Sequence, residues 1–177
     1  MDPNAPVSLV TASYSTRDGA VEDFRSVWGT RYDGEFHHTS IAVLTKGSGG
    51  ELCVERTNST AKHLVWGGAL LGGATFVLAP AAGIGMLATF GTTGAPAIIS
   101  HVREHADVEQ LAGIAYLLEE GAWSLVVVAV NRRGEVTTPL LTHADRTASV
   151  DLPWGDLEEE LGQEFARPVS GPVLVGT

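Results

Sequence analysis

Residues 123–130 read Trp-Ser-Leu-Val-Val-Val-Ala-Val, a nearly continuous apolar run that sets the architecture of the chain. Its β-branched valines favour an extended backbone, and its length is that of a buried strand. A strand that is apolar on both sides needs cover on both sides. The neighbouring sequence must therefore supply a further layer on each face.

A helix precedes this strand. Residues 107–120 show helical spacing, and Gly121 follows them as a stop signal. Asp107 and Gln110 offer a capping box at the start. The positions expected to form its apolar face are Val108, Leu111, Ile114, Ala115 and Leu118.

The chain before residue 60 predicts one strand, one helix and two further strands. They are expected at residues 7–14, 20–29, 36–45 and 51–57, with a capping box at 15–18 and a glycine-rich hairpin loop at 46–50. We expect Ile41 and Val43 to share one sheet face with Leu9 and Thr11. The complete order is β-α-β-β-insert-α-β, which predicts an α+β fold with a ferredoxin-like sheet over residues 6–131.

The insert at residues 62–103 departs most from ordinary composition. Between Lys62 and Arg103 lie 40 residues without one Asp, Glu, Lys or Arg. Small residues recur four apart, as in Gly68 and Gly72, and such spacing lets two helices approach closely. Pro80 interrupts the segment, which therefore predicts a helical hairpin. The residues expected to pack this hairpin are Gly67, Gly68, Gly72, Gly73, Pro80, Gly83, Gly85 and Gly91.

Two environments fit this hairpin. Helices of about 16 and 19 residues would be about 24 and 28 Å long, whereas the apolar core of a bilayer is about 30 Å thick. Lys62 and Arg103 at the two ends fit a hairpin that enters and leaves a membrane from the cytoplasm. The same glycine strips equally fit a soluble assembly in which the hairpins pack together or bind an apolar ligand.

The arrangement of these elements resembles a family of small bacterial proteins of unknown function that are described as membrane proteins. The features that carry the resemblance are the N-terminal β-α-β-β unit, the glycine-rich segment WGGALLGGATFVLAPAAGIGMLATFG, the helix at 107–120 and the final apolar strand. The resemblance implies no activity and no catalytic residues. The chain departs from that family in its long tail after Asn131.

This tail, residues 132–177, is predicted to be a C-terminal extension of the domain. Residues 136–142, which include Pro139, are expected to form an edge strand. A short acidic amphipathic helix is expected within residues 156–167. It would dock on its own sheet or on a neighbouring subunit through Leu157, Leu161 and Phe165.

Composition argues against nucleic-acid binding and indicates a cellular location. The chain has 21 acidic and 11 basic side chains, a net charge of −10, and no basic stripe that would bind nucleic acid. The single cysteine, Cys53, and an N-terminus without an apolar leader predict a protein of the cytoplasm or of the inner face of the cell membrane.

One motif carries chemistry of its own. Residues 101–105 read His-Val-Arg-Glu-His, a pattern in which two histidines one helical turn apart can bind zinc with Glu104 as base. A zinc hydrolase also needs a third ligand and a cleft, for which the sequence offers no candidate. We therefore predict no catalytic residues, no metal and no cofactor, and a zinc hydrolase that uses residues 101–105 is kept as a remote alternative. The expected function is non-enzymatic self-association through the hairpin, on a membrane or within a soluble homo-oligomer.

Overall fold

The computed structural model describes residues 6–30, 38–59, 95–120, 122–130 and 134–153. These ranges form an α+β fold with one antiparallel sheet and helices on both of its faces. The strands are β1 (Pro6–Tyr14), β2 (His38–Lys46), β3 (Leu52–Ser59), β4 (Trp123–Val130) and β5 (Arg146–Pro153). The helices are α1 (Arg17–Gly29), α2 (Ala95–His105), α3 (Val108–Glu120) and α4 (Gly134–Thr137), which a 3₁₀ turn (Thr138–Leu140) follows.

The apolar run at residues 123–130 forms the central strand of the sheet. The strand order is β3-β2-β4-β1-β5, and each neighbouring pair is antiparallel. Residues 124–129 of β4 are all buried. In register, Val127 lies between Ile41 of β2 and Val10 of β1. The prediction of a strand buried on both faces is confirmed.

The strand order does not confirm a ferredoxin-like topology. The β1-α1-β2 unit is split by one antiparallel strand, as that fold requires. The inserted strand is β4, however, whereas in a ferredoxin-like sheet the hairpin strand β3 would occupy that position. Here β3 pairs with β2 at the edge. The other edge is β5, so Arg146–Pro153 of the predicted extension belongs to the same sheet.

Helix α1 covers one face of the sheet. Val10, Ile41 and Val127 form a buried cluster with Phe24 and Val27 of α1. The cap of α1 is Thr16, whose side chain accepts a hydrogen bond from the backbone N–H of Gly19. The N-cap therefore lies one residue after Ser15, the first residue of the predicted capping box, and the helix ends at the expected Gly29.

Helix α3 lies against β1 and β5 and covers the opposite face. Its Ile114 and Leu118 are buried, as are Leu9, Val150 and Leu152 of the two strands. The expectation that Leu9 and Thr11 would share a face with Ile41 is wrong. Because successive residues of a strand point to opposite faces, the pairing of Val10 with Val127 and of Val127 with Ile41 places Leu9 on the other side.

Most of the predicted apolar face of α3 is confirmed, because Ile114 and Leu118 are buried and Leu111 and Ala115 are half-buried. Val108 is 81 % exposed, whereas Leu117, which the pattern did not select, is buried. Asp107 caps the helix by accepting a hydrogen bond from the backbone N–H of Glu109.

The edge strand predicted at residues 136–142 is wrong. This stretch forms the end of α4 and the 3₁₀ turn, with Pro139 in its first turn. Proline has no N–H to give a sheet, but it fits the start of a helix, where that donor has no partner.

Two groups of predicted residues lie outside the described ranges. The hairpin-packing residues Gly67, Gly68, Gly72, Gly73, Pro80, Gly83, Gly85 and Gly91 fall within residues 60–94, and Leu157, Leu161 and Phe165 fall within residues 154–177. The predicted second helix of the hairpin overlaps α2, and its residues before Ala95 lie outside the described ranges. None of the helices in the described ranges is both long and apolar enough to cross a bilayer.

Candidate functional site

A buried carboxylate, Asp23, lies at the centre of the most organised polar cluster in the described part of the chain. Asp23 is on α1, on the helix face that also carries Ala20, Phe24 and Val27, and it is fully buried. Burying a charge is costly unless hydrogen bonds compensate it. The groups around Asp23 must therefore satisfy both of its oxygens.

Three donors from two other segments reach this carboxylate. The Tyr14 hydroxyl at the end of β1 donates to Oδ2 at 3.0 Å. The backbone N–H of His143 donates to the same oxygen at 3.0 Å, and the ring Nδ1–H of His143 donates to Oδ1 at 2.8 Å. Asp23 thereby joins α1, β1 and the loop that leads into β5. We call Tyr14, Glu22, Asp23 and His143 the carboxylate clamp.

His143 has a carboxylate at each ring nitrogen. Its Nε2 lies 3.0 Å from Glu22 Oε2, on the side of the ring opposite Asp23. The hydrogen bond to Asp23 raises the pKa of His143 and is the largest cause. Desolvation opposes it, and the negative charges of Asp23 and Glu22 raise the pKa further. The protonated imidazolium is therefore the form that the clamp favours.

Tyr14 serves the clamp as a neutral donor. Burial raises the pKa of its hydroxyl far above the ordinary value, and the charge of the neighbouring Asp23 adds to this effect. A phenolate could only accept hydrogen bonds. Because the hydroxyl of Tyr14 stays protonated, it can donate its hydrogen bond to Asp23.

The close approach of the 141–145 loop to α1 depends on a small residue. A Cβ at Gly19, in the first turn of α1, would lie 3.2 Å from His143 Cβ and 3.2 Å from Thr16 Oγ1. The loop is also bound to the end of β1, because the backbone N–H of Asp145 donates to the Ser13 carbonyl at 2.9 Å. These contacts fix the position of His143 relative to Asp23.

The geometry of the clamp differs from that of an Asp–His pair that activates a nucleophile. An Asp–His pair activates a nucleophile when Nε2 of the histidine contacts a hydroxyl or thiol. Here Nε2 contacts the Glu22 carboxylate. The clamp therefore links the protonation of one imidazole to the docking of the 141–145 loop.

The zinc-like motif lies on α2 and has a packing role. His101 is buried, and its Nε2–H donates to the backbone carbonyl of Pro153 at 2.7 Å. His105 donates from Nδ1 to the His101 carbonyl at 3.1 Å, and the two ring centroids are 4.3 Å apart. No group of three His, Cys, Asp or Glu side chains suited to a metal occurs within the ranges that the structure describes. His101 thus anchors α2 to the end of β5.

Sequence reasoning missed the carboxylate clamp. The signal that was available is Asp23 itself, a charged residue at an apolar position of the α1 repeat. His143 is separated from it by 120 residues, and no local pattern connects the two.

Known proteins give no further guidance on these sites. The chain matches no protein-family model, no curated protein and no solved structure. The resemblance to bacterial membrane proteins therefore stays a prediction.

The clamp predicts a pH-dependent contribution of His143 to stability. A pKa that is higher in the folded than in the unfolded state stabilises the fold fully below about pH 6.5, the ordinary histidine value. This contribution is lost as the pH rises through the folded-state pKa. Urea unfolding from pH 5 to 9 should therefore show that His143→Gln costs most at low pH.

Glu22→Gln is the matched variant for this experiment, because it removes one of the two carboxylates and leaves Asp23 in place. It should give a smaller pH dependence of the same sign. An unfolding free energy that differs between wild type and His143→Gln by the same amount at pH 5.5 and pH 8.5 would show that the clamp does not favour the imidazolium.

Proposed function

We propose that this is a non-enzymatic self-associating protein and that the glycine- and alanine-rich segment between Lys62 and Arg103 mediates the association. The observation that carries the proposal is the absence of charge over 40 consecutive residues, combined with small residues spaced four apart. Such a segment has to bury its surface against protein or lipid.

Within the described ranges, the structure offers no large exposed apolar surface through which copies of the chain would associate. Residues of the sheet face opposite α1, such as Ala42, Leu44 and Val126, are buried within one copy of the chain. Large apolar side chains that are exposed in the described ranges are few and lie on separate helices: Val108 and Tyr116 on α3 and Val136 on α4. Scattered exposure of this kind does not drive association.

The segment is connected to the sheet at both ends. It follows β3, an edge strand that ends at Ser59, and its last residues belong to α2. The buried side chains of His101 and Val102 fix α2, and His101 also bonds to the end of β5. Association through the segment would therefore position the ordered sheets of neighbouring copies relative to one another.

Two forms of this function share the same mechanism. In the first, the segment associates with the cytoplasmic membrane as well as with other copies, which follows the resemblance and the positions of Lys62 and Arg103. In the second, the hairpins are buried inside a soluble high-order homo-oligomer or bind an apolar ligand. Both require close packing at the glycine strips.

Replacing Gly68 or Gly72 by leucine should weaken self-association about tenfold or more, since a loss of about 1.4 kcal/mol per contact gives that factor. The bulky side chain would hold the two backbones apart. Chemical cross-linking and analytical ultracentrifugation of the full chain, in detergent if the protein requires it, would measure the effect.

Gly113→Leu is the matched control, because it adds the same side chain at a helix position where a Cβ would meet nothing within 4 Å. It should leave the oligomer distribution as in wild type. His101→Ala should also leave it intact. Normal oligomers in a Gly68→Leu/Gly72→Leu protein would refute packing through these glycines.

A further inference from the structure

Residues 142–145, which join the 3₁₀ turn to β5, are held to the rest of the fold mainly by polar contacts. Leu141 before them is buried. Among the four residues themselves, only Ala144 packs against the apolar cluster under α1, and the other three are exposed. Little apolar burial would therefore be lost if these four residues moved away from α1.

His143 is the attachment of this segment to α1. Its backbone N–H and its ring both donate to the Asp23 carboxylate, at 3.0 Å and 2.8 Å. The remaining hydrogen bonds join Asp145 to Ser13 and Ser15 at the end of β1. Contact with α1 therefore depends on one histidine and the carboxylates that surround it.

Both flanks of the segment have anchors of their own. On one side, β5 pairs with β1 over Arg146–Pro153. On the other side, the backbone N–H of Leu141 donates to the Thr138 carbonyl at 3.0 Å, and the backbone N–H of Gly134 donates to Asp151 of β5 at 2.8 Å. Residues 142–145 can therefore leave α1 while the sheet stays paired.

The protonation state of His143 decides whether both contacts of its ring are favourable. Nδ1 lies 2.8 Å from Asp23 Oδ1, and Nε2 lies 3.0 Å from Glu22 Oε2. Both nitrogens carry a proton only in the imidazolium. Either neutral tautomer places an unprotonated nitrogen, which can only accept, against a carboxylate oxygen, which can also only accept. One of the two contacts then becomes unfavourable.

The groups around the ring favour the imidazolium. Within the described ranges, the charged and titratable ones are Glu22 and Asp23 of α1, Tyr14 of β1, and Asp145 and Arg146 where the segment enters β5. Tyr14 is a neutral donor, and the guanidinium of Arg146 lies over the Tyr116 ring of α3. The hydrogen bond to Asp23, together with the charges of Asp23 and Glu22, raises the pKa of His143 against an opposing effect of desolvation.

We propose that residues 142–145 form a pH-sensitive strap, which is docked on α1 while the His143 ring bridges the two carboxylates and is released within the folded protein when the ring becomes neutral at alkaline pH. Release would expose the Asp23 carboxylate and the Tyr14 hydroxyl to water while the five strands stay paired. The contribution of the clamp to global stability requires no such movement, so the strap is a separate property of the fold.

Hydrogen–deuterium exchange of the full chain, measured by mass spectrometry in the assembly that the protein forms, tests the strap. A peptide over residues 141–146 reports its opening, and a peptide over β4 reports global unfolding. Between pH 6 and pH 8.5, after correction for the intrinsic exchange rate, the protection of the strap should fall about tenfold, the effect of one charge-assisted hydrogen bond. Adding about 1 M urea should accelerate exchange in β4 but not in the strap, because local opening exposes little surface.

Two variants assign the effect to the clamp, and a third is the matched control. His143→Gln should abolish the pH dependence of strap protection, and Glu22→Gln should reduce it, because Asp23 remains. His105→Gln makes the same change at an exposed histidine of α2 and should behave as wild type does. Near-UV circular dichroism should show that all three variants are folded.

Three results would each overturn the strap. The first is strap protection that is equal at the two pH values in wild type. The second is strap exchange with the same rate and urea dependence as β4, which would mean that these residues leave α1 only when the whole fold unfolds. The third is an unchanged pH dependence in His143→Gln, which would assign the effect to another group.

Discussion

Asp23→Ala is expected to lower the free energy of unfolding by about 3 kcal/mol and the melting temperature by about 10 °C. The substitution removes three hydrogen bonds and leaves the hydroxyl of the buried Tyr14 without its acceptor. It also frees the 141–145 loop from α1. Thermal unfolding followed by circular dichroism, together with urea unfolding, would measure both quantities.

Asp18→Asn provides the comparison on the same helix. The Asp18 side chain is 93 % exposed, so its replacement should change the free energy of unfolding by less than about 0.5 kcal/mol. Asp23→Asn should fall between the two, because an amide retains one acceptor oxygen for Tyr14 or His143 but loses the charge. An Asp23→Ala protein as stable as Asp18→Asn would mean that the clamp does not hold the fold together.

Gly134→Ala is expected to destabilise the protein by about 2 kcal/mol through overpacking. An added Cβ would lie 2.6 Å from Ser149 Cβ and 2.8 Å from Ser149 Oγ, distances that force one of the two segments to move. Movement would also strain the bond from the Gly134 N–H to Asp151 Oδ1, which caps the first turn of α4 at 2.8 Å. Urea unfolding would measure the loss.

A double-mutant cycle separates this contact from a general effect of the substitution. In a Ser149→Gly background, Gly134→Ala should cost at least 1 kcal/mol less than in wild type, as expected for a coupled pair (about 0.5–3 kcal/mol). Gly113→Ala, where a Cβ meets nothing within 4 Å, should instead stabilise α3 by about 0.5–1 kcal/mol. Additive effects of the Gly134 and Ser149 changes would contradict the proposed clash.

Local elements of this fold are readable from the sequence because their signals are local. Three of these signals involve residues that are close together in the chain. They are the valine run of β4, the helical repeat of α1 with its terminal Gly29, and the hairpin of β2 and β3. Strand β5 also carried a signal that sequence reasoning missed. Val150 and Leu152 alternate with exposed neighbours, but Asp151 and Pro153 between and after them disguised the pattern.

The order of the strands could not be read in this way. Whether β3 or β4 lies between β1 and β2 depends on pairing between segments separated by most of the chain. In particular, β1 pairs with β4 and with β5. A ferredoxin-like order and the observed order use the same elements and nearly the same apolar pattern. Only the long-range pairing distinguishes them, and periodicity contains no information about it.

The same reason explains the candidate sites. Asp23 contacts His143 because α1 packs against a loop that is distant in sequence. Tyr116 contacts Arg146 because α3 packs against the distant strand β5. The sequence did draw attention to His101 and His105, which are adjacent on α2 because of helical spacing alone. His105 contacts His101 within the helix, and His101 donates to the backbone of β5. The motif that resembles a zinc site therefore serves in packing.

Self-association through the segment between Lys62 and Arg103 is the central claim, and fractionation without detergent, followed by light scattering of the soluble part, tests it most directly. We predict that no monomer will be found. Recovery in the membrane pellet, with release only by detergent, would identify the membrane-bound form, and a soluble particle of many subunits would identify the oligomeric form. A clean soluble monomer, unchanged over a wide range of protein concentration, would contradict the claim in both forms.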